Sequence, residues 1–204
     1  MPNVLLYGPN GRPVKVTQND ELLVKAGGDA FSEAVKRGNV YAFAAQAGVT
    51  TQAGLSLTTP ESTLFNPNGS GKRGKLWYAG AVYTVVFAAV AAIWLAMGKS
   101  TTAVTVGSLA TTVRNLKDGT TGTDQRNAIK VALTATLPAA PVGIALLGAG
   151  LTGAVALLPT SPPVGRWFNG SVTIDEGVNL SIQTGTASGA SGQFGEFICE
   201  EEDK

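Results

Sequence analysis

Apolar positions in this chain recur with a period near two over short stretches, and turn residues interrupt them at roughly 8–12-residue spacing. Tyr41-Ala42-Phe43-Ala44, Leu55-Ser56-Leu57-Thr58 and Ser62-Thr63-Leu64-Phe65 alternate in this way, with Gly48, Gly54 and Pro60 between them. The same alternation returns at 131–137, Gly170–Ile174, Val178–Gln183 and Gly192–Cys199. Alternation of period two puts one face of a strand on a core and the other outward. Many short strands with little helix predict an all-β chain, a β-sandwich or jelly roll with at most one or two short helices.

The first part of the chain reads differently. Val4–Tyr7, Val14–Val16 and Leu22–Val24 are short strand-like pieces separated by Gly8-Pro9-Asn10-Gly11-Arg12-Pro13 and by Gln18-Asn19-Asp20. They hold too little apolar material for a core of their own. Asp29 suits an N-cap for a short helix over Ala30–Lys36, with Arg37 in its last turn and Gly38 at its end. The expected organisation is therefore an N-terminal arm over 1–38 and a β-sandwich domain over 39–204, with a long apolar insertion around 100–165. No repeat of fixed period is present.

The stretch from Asn66 to Gly98 decides the class of the protein. Asn66-Pro67-Asn68-Gly69-Ser70-Gly71-Lys72-Arg73-Gly74-Lys75 is turn chemistry followed by cations, and Leu76 to Gly98 carries no charge. A charge-free run of this length qualifies as a membrane span. Val82, Thr84, Val85, Val86, Val90 and Ile93 are β-branched, however, and Trp77, Tyr78, Tyr83 and Phe87 crowd its first half, which suits buried strands. We read two strands, with Ala88–Ala92 as the connection and Ile93–Met97 returning. The alternative of a different class is a small membrane protein with spans at Leu76–Gly98 and Val131–Leu158.

Composition narrows the function classes. Charged residues are 14% of the 204, against roughly a quarter in ordinary globular proteins. With 44% apolar residues, such a chain is expected to hide surface in an assembly. A formal net charge of +1 gives no basic stripe for nucleic acid. The opening Met1-Pro2-Asn3 has no basic n-region, so no signal peptide is expected. There is no histidine, which removes the usual general base, the usual triads and most zinc sites. The single cysteine, Cys199, reads as a small buried hydrophobe. The chemistry therefore points away from an enzyme, with no cofactor and no catalytic or metal-binding residue expected. Glu200-Glu201-Glu202-Asp203 reads as a solvated acidic tail.

Three motif matches fail on context. Gly69-Ser70-Gly71-Lys72-Arg73-Gly74-Lys75 has the glycine and lysine spacing of a phosphate loop, but Leu76 stands where Ser or Thr must hold magnesium. The expectation there is an exposed hairpin whose Lys72, Arg73 and Lys75 keep an edge soluble and bind no nucleotide. Gly148-Ala149-Gly150-Leu151-Thr152-Gly153 matches a dinucleotide fingerprint, yet only Ala154 to Leu158 precede Pro159, too few for the helix that must follow. Asn68-Gly69-Ser70, Asn169-Gly170-Ser171 and Asn179-Leu180-Ser181 are formal glycosylation sequons without a secretory context.

The order of the pieces resembles small tailed-bacteriophage virion proteins. Those pieces are Leu64-Phe65-Asn66-Pro67-Asn68-Gly69-Ser70-Gly71-Lys72, then Leu76–Gly98, then Gly170–Gln183, then Gly195–Glu201. The resemblance implies a β-sandwich subunit, commonly a homotrimer, of the capsid decoration (cement) or tail-appendage type. It also implies that its partners are itself and the major capsid protein or other virion proteins, with no membrane and no nucleic acid. Its place would be the particle surface, after synthesis in the host cytoplasm. A tail-fibre or baseplate module that binds host glycans is the nearest alternative, resting on Trp167-Phe168-Asn169. The residues of Val131–Leu158 sharpen the assembly reading, because an uncharged stretch rich in Pro and Gly is a poor helix and a poor regular strand. A subunit interface would cover it, with Ile144, Leu146, Leu147 and Leu151 near the symmetry axis.

Overall fold

A computed structural model of the chain describes residues 30–50, 54–56, 60, 62–84, 87, 89–110, 112–120, 128–150, 163–185 and 192–204. The chain divides into two compact units, Met1–Glu33 and Ala34–Lys204. The expected strands at 4–7, 14–16 and 22–24 and the Asp29 cap lie outside the described residues, as do Leu57, Thr58 and Leu151.

One helix is present among the described residues, α1 (Ala30–Arg37), with Glu33 in its first turn and Lys36 and Arg37 in its last. Those charges oppose the partial charges of the helix ends. Gly38 ends it at φ +80°, donating its N–H to Val35 O at 2.9 Å. The strands follow in order. They are β1 (Val40–Ala44), β2 (Val49–Thr50), β3 (Thr63–Phe65) and β4 (Lys72–Tyr83). Next come β5 (Ala91–Lys99), β6 (Thr105–Leu109), β7 (Arg114–Asn115) and β8 (Lys130–Thr136). The chain closes with β9 (Val142–Gly150), β10 (Val164–Ile174), β11 (Val178–Thr184) and β12 (Gly192–Asp203).

These strands make two antiparallel sheets. The first runs β10-β4-β12-β1-β7, with β2 pairing β12, and the second runs β6-β8-β3-β11-β5-β9. One apolar core lies between them. Tyr41, Phe43, Leu76, Phe197 and Cys199 enter it from the first sheet, and Leu64, Ile93, Leu95, Leu180 and Ile182 from the second. Burying each large side chain of this kind stabilises by about 1.5–3 kcal/mol. The all-β sandwich expected from the alternation is the fold. Among the described residues no helix is long and apolar enough to cross a membrane.

The apolar run Leu76–Gly98 is two strands, as its residue types suggested, but they do not lie side by side. β4 is in the first sheet and β5 in the second, so the chain changes sheets between Tyr83 and Ala91. The returning strand begins at Ala91, two residues before the expected Ile93.

The turn before β4 is likewise a crossing rather than a hairpin, since β3 belongs to the second sheet. Asn66 pins it, donating through Nδ2 to Lys72 O at 2.8 Å and to Ile174 O at 2.9 Å. Gly69 and Gly71 stand at φ +77° and +68°, where a Cβ would be strained. Turn geometry therefore accounts for Gly69 and Gly71, packing accounts for Gly74, where a Cβ would come within 2.3 Å of Ile129 Cδ1, and a strand follows where the phosphate-loop motif needs a helix.

The stretch 100–165, expected as an insertion, supplies β6, β7, β8 and β9. β7 joins the first sheet beside β1, and the other three belong to the second.

Candidate functional site

Three of the four residues expected at a subunit contact, Ile144, Leu146 and Leu147, lie on β9, the last strand of the second sheet, and Leu151 is outside the described residues. Despite its two glycines before Gly150, Val142–Gly150 is a regular enough strand to pair with β5 from Met97↔Val142 to Ala91↔Gly150. Val142, Ile144 and Leu146 point outward, with 67%, 43% and 53% of their surface exposed. Trp94 of β5 is the cross-strand partner of Leu146. Leu147 does not join them. It is 9% exposed and packs in the core, because successive residues of a strand face opposite sides and its neighbour Leu146 faces out. The register with β5 shifts twice, between Ile93↔Gly148 and Trp94↔Leu146 and between Leu95↔Ala145 and Ala96↔Gly143, so Leu147 and Ile144 each have no residue opposite them in the ladder.

Among the described residues β2, β6, β7, β9 and β10 each pair with a single neighbour, and β9 is the odd one of them. β7 has two residues, and β6 has five with Thr105, Gly107 and Ser108 among them. β10 carries Arg166 and a bulge between Trp167 and Val172, with Asn169 at φ +53°. Short strands, charges and bulges are the devices that keep sheet edges from pairing with other chains. β9 has nine residues, no charge and three exposed aliphatic side chains.

The opposite character gathers where β4 begins and β12 ends. Their pairing runs to Lys72↔Asp203. Lys72 Nζ donates to Asp203, Lys75 Nζ to Glu202, and Arg73 Nε to Asp175 Oδ1 at 2.7 Å. The hydrogen bond to Asp203 holds the Lys72 ammonium above its ordinary value, and Arg73 holds the Asp175 carboxyl below its own. Glu176 is also lowered, chiefly by the Gly71 N–H at 2.8 Å and then by Lys204. The three cations are thus part of a cross-strand ion-pair ladder rather than the tip of a hairpin.

The acidic residues 200–203 are not a solvated tail, because β12 continues through them to Asp203. Glu200 and Glu201 are 2% and 5% exposed. Glu200 receives Arg37 Nη2 at 2.8 Å and Trp77 Nε1 at 3.2 Å. Glu201 Oε1 receives the backbone N–H groups of Ala128 and of Ile129, the latter at 2.8 Å, and its Oε2 has no hydrogen-bond partner among the described residues. Burial raises the Glu201 carboxyl, and the two backbone N–H groups only partly offset this. Arg37, Gly38, Asn39, Tyr41, Lys72, Glu201 and Asp203 line a polar cleft of about 300 Å³ here. Among the described residues no group of three His, Cys, Asp or Glu is placed to hold a metal ion. Cys199 is buried in the core, and that burial drives its thiol far above the ordinary value, so it is held as the unreactive S–H.

The triplet Trp167-Phe168-Asn169 is split by the sheet. Phe168 is a core residue, Asn169 makes the left-handed bulge, and Trp167 alone is an outward ring, 52% exposed. Its ring partner is Tyr78 of β4, 5.2 Å away between centroids and tilted by 55°. Burial and then the hydrogen bond to Glu196 raise the Tyr78 hydroxyl. Sequence reasoning missed Tyr78 and Glu196, which are distant from Trp167 along the chain and meet it only through the β10-β4-β12 pairing. Comparison of the chain with known protein families, with curated proteins and with solved structures finds no match.

Proposed function

We propose that this chain is a non-enzymatic structural protein of a phage particle, a capsid decoration (cement) protein that acts as a homotrimer and stabilises the assembled shell. The observation that carries the reading is β9, a charge-free strand at a sheet end whose Val142, Ile144 and Leu146 face outward. A strand of that kind invites another chain, and an obligate subunit contact is the ordinary way to cover it. The low charge content of the whole chain agrees with a protein that works inside an assembly. The mechanism is mass action. A subunit that binds only the closed shell stabilises that state by about 2.7 kcal/mol at a free concentration a hundredfold above its Kd. A tail appendage is the second place in a particle, and the exposed Trp167–Tyr78 pair favours it. Mass spectrometry of purified particles tests both, because a decoration protein is recovered at a copy number near that of the shell protein and an appendage at far fewer. Absence of the chain from the particles overturns the reading.

A further inference from the structure

We propose that the outer face of the first sheet carries a carbohydrate-binding platform formed by Trp167 of β10, Tyr78 of β4 and Glu196 of β12. The three strands are neighbours, and the register brings Trp167 opposite Tyr78 and sets Gly165, Gly80 and Glu196 in one cross-strand row. That row is what lays the Tyr78 ring down. A Cβ at Gly80 would come within 2.5 Å of the Tyr78 hydroxyl, and one at Gly165 within 2.0 Å. Glycine on both strands therefore leaves the floor on which the phenol lies. At its far end the hydroxyl hydrogen-bonds Glu196, which takes part in no ion pair among the described residues.

The chemistry of this surface matches a sugar ring. A pyranose has a face of C–H groups and a rim of hydroxyls. Aromatic faces carry negative potential that attracts such C–H groups, and an indole or phenol gives much contact area for two torsions. The Glu196 carboxyl offers several lone pairs, of which Tyr78 takes one, so hydroxyl donors on the rim find acceptors beside the rings. The geometry argues against a quaternary ammonium ligand, which is held by rings set apart around it. Here the two rings touch each other at 5.2 Å and form one bent surface. The surface is open at the sheet's end, as a polysaccharide chain needs, rather than a closed pocket. Covering sheet glycines would explain Tyr78 alone. It does not explain an indole half in water beside an acid that makes no ion pair among the described residues. The inference does not depend on whether the protein sits on a shell or a tail.

Affinity electrophoresis of the full chain tests it, in gels containing dextran, galactomannan, xylan or smooth lipopolysaccharide. Retardation is expected with at least one of these. Trp167→Ala, an exposed change that leaves the core intact, is expected to weaken that binding by about tenfold or more. Glu196→Gln, which keeps the shape but loses the charge, is expected to weaken it less. Equal retardation of Trp167→Ala and the parent overturns the proposal. So does no retardation with any of the four, or competition by choline chloride, which would assign the rings to a cation.

Discussion

β9 and β10 end the two sheets on the same side of the sandwich, near enough that a Cβ on Gly148 would meet Val164 at 2.6 Å. They manage an exposed strand in opposite ways. β10 interrupts its pairing with the bulge after Trp167, and it sets Arg166 over the Phe168 ring, 5.6 Å from the centroid. β9 carries aliphatic side chains outward and no charge at all. The two strands share a fold, a core and a solvent, so the difference is not a matter of local propensity. It teaches that one end carries the features that keep a strand single, and the other carries the features the proposed subunit contact would cover.

The comparison breaks most sharply inside β9 itself. Leu147→Asp puts a charge into the core and is expected to abolish folding, a loss of about 4 kcal/mol or more, read by denaturant unfolding. Leu146→Asp, one residue away but outward, is expected to stay within about 1 kcal/mol of the parent. A smaller loss at 147 than at 146 would overturn the inward placement of Leu147. Next comes the assembly. The double change Ile144→Asp and Leu146→Asp should keep the circular dichroism of the parent while light scattering falls to the mass of one chain. An unchanged oligomer would remove β9 from the contact.

Weaker effects sharpen the other side. Arg166→Val makes β10 resemble β9, and the variant is expected to aggregate faster at equal stability, within about 1 kcal/mol. The smallest change lies away from both strands and shows how a charge behaves when it is buried rather than displayed. The Glu201 carboxyl is raised in the folded protein, so folded chains bind its proton more tightly than unfolded ones. Its contribution is therefore lost as pH rises through the window above the ordinary value of about 4.3. Asp175 and Glu176, which are lowered, act with the opposite sign and lose their contribution as pH falls. Glu201→Gln keeps an oxygen for the Ala128 and Ile129 N–H groups and removes the ionisation. Its melting temperature should decline less than the parent's between pH 4.5 and 7, and an identical slope would deny the burial effect.

Much of the fold was legible because strand alternation and turn residues are local signals. The spacing of Gly, Pro and Asn gave the class, and the β-branched residues of Leu76–Gly98 separated strand from span. What alternation cannot show is where it breaks. The two register shifts of β9 are set by its pairing with Ile93–Ala96, some fifty residues earlier along the chain. The acids at 200–203 looked solvated because their partners Lys72, Lys75 and Arg37 lie far upstream. The Trp167 platform was half visible for the same reason. An exposed indole can be guessed from its neighbours, but Tyr78, Gly80 and Glu196 reach it only through register.

The position of β12 sets the timetable on which this molecule comes into being. It lies between β1 and β4, pairing Val40 with Glu200 and Lys72 with Asp203. Before residues 192–203 arrive, β1 and β4 have no strand between them, and Tyr41 and Phe43 have only half of their surroundings. Sheets closed by such distant partners fold slowly, in milliseconds to seconds. At ribosomal speed the wait between β1 and β12 is on the order of 10 s. Throughout that interval the nascent protein displays two open strands, and its exposure to misassembly is governed by the rate of its own translation.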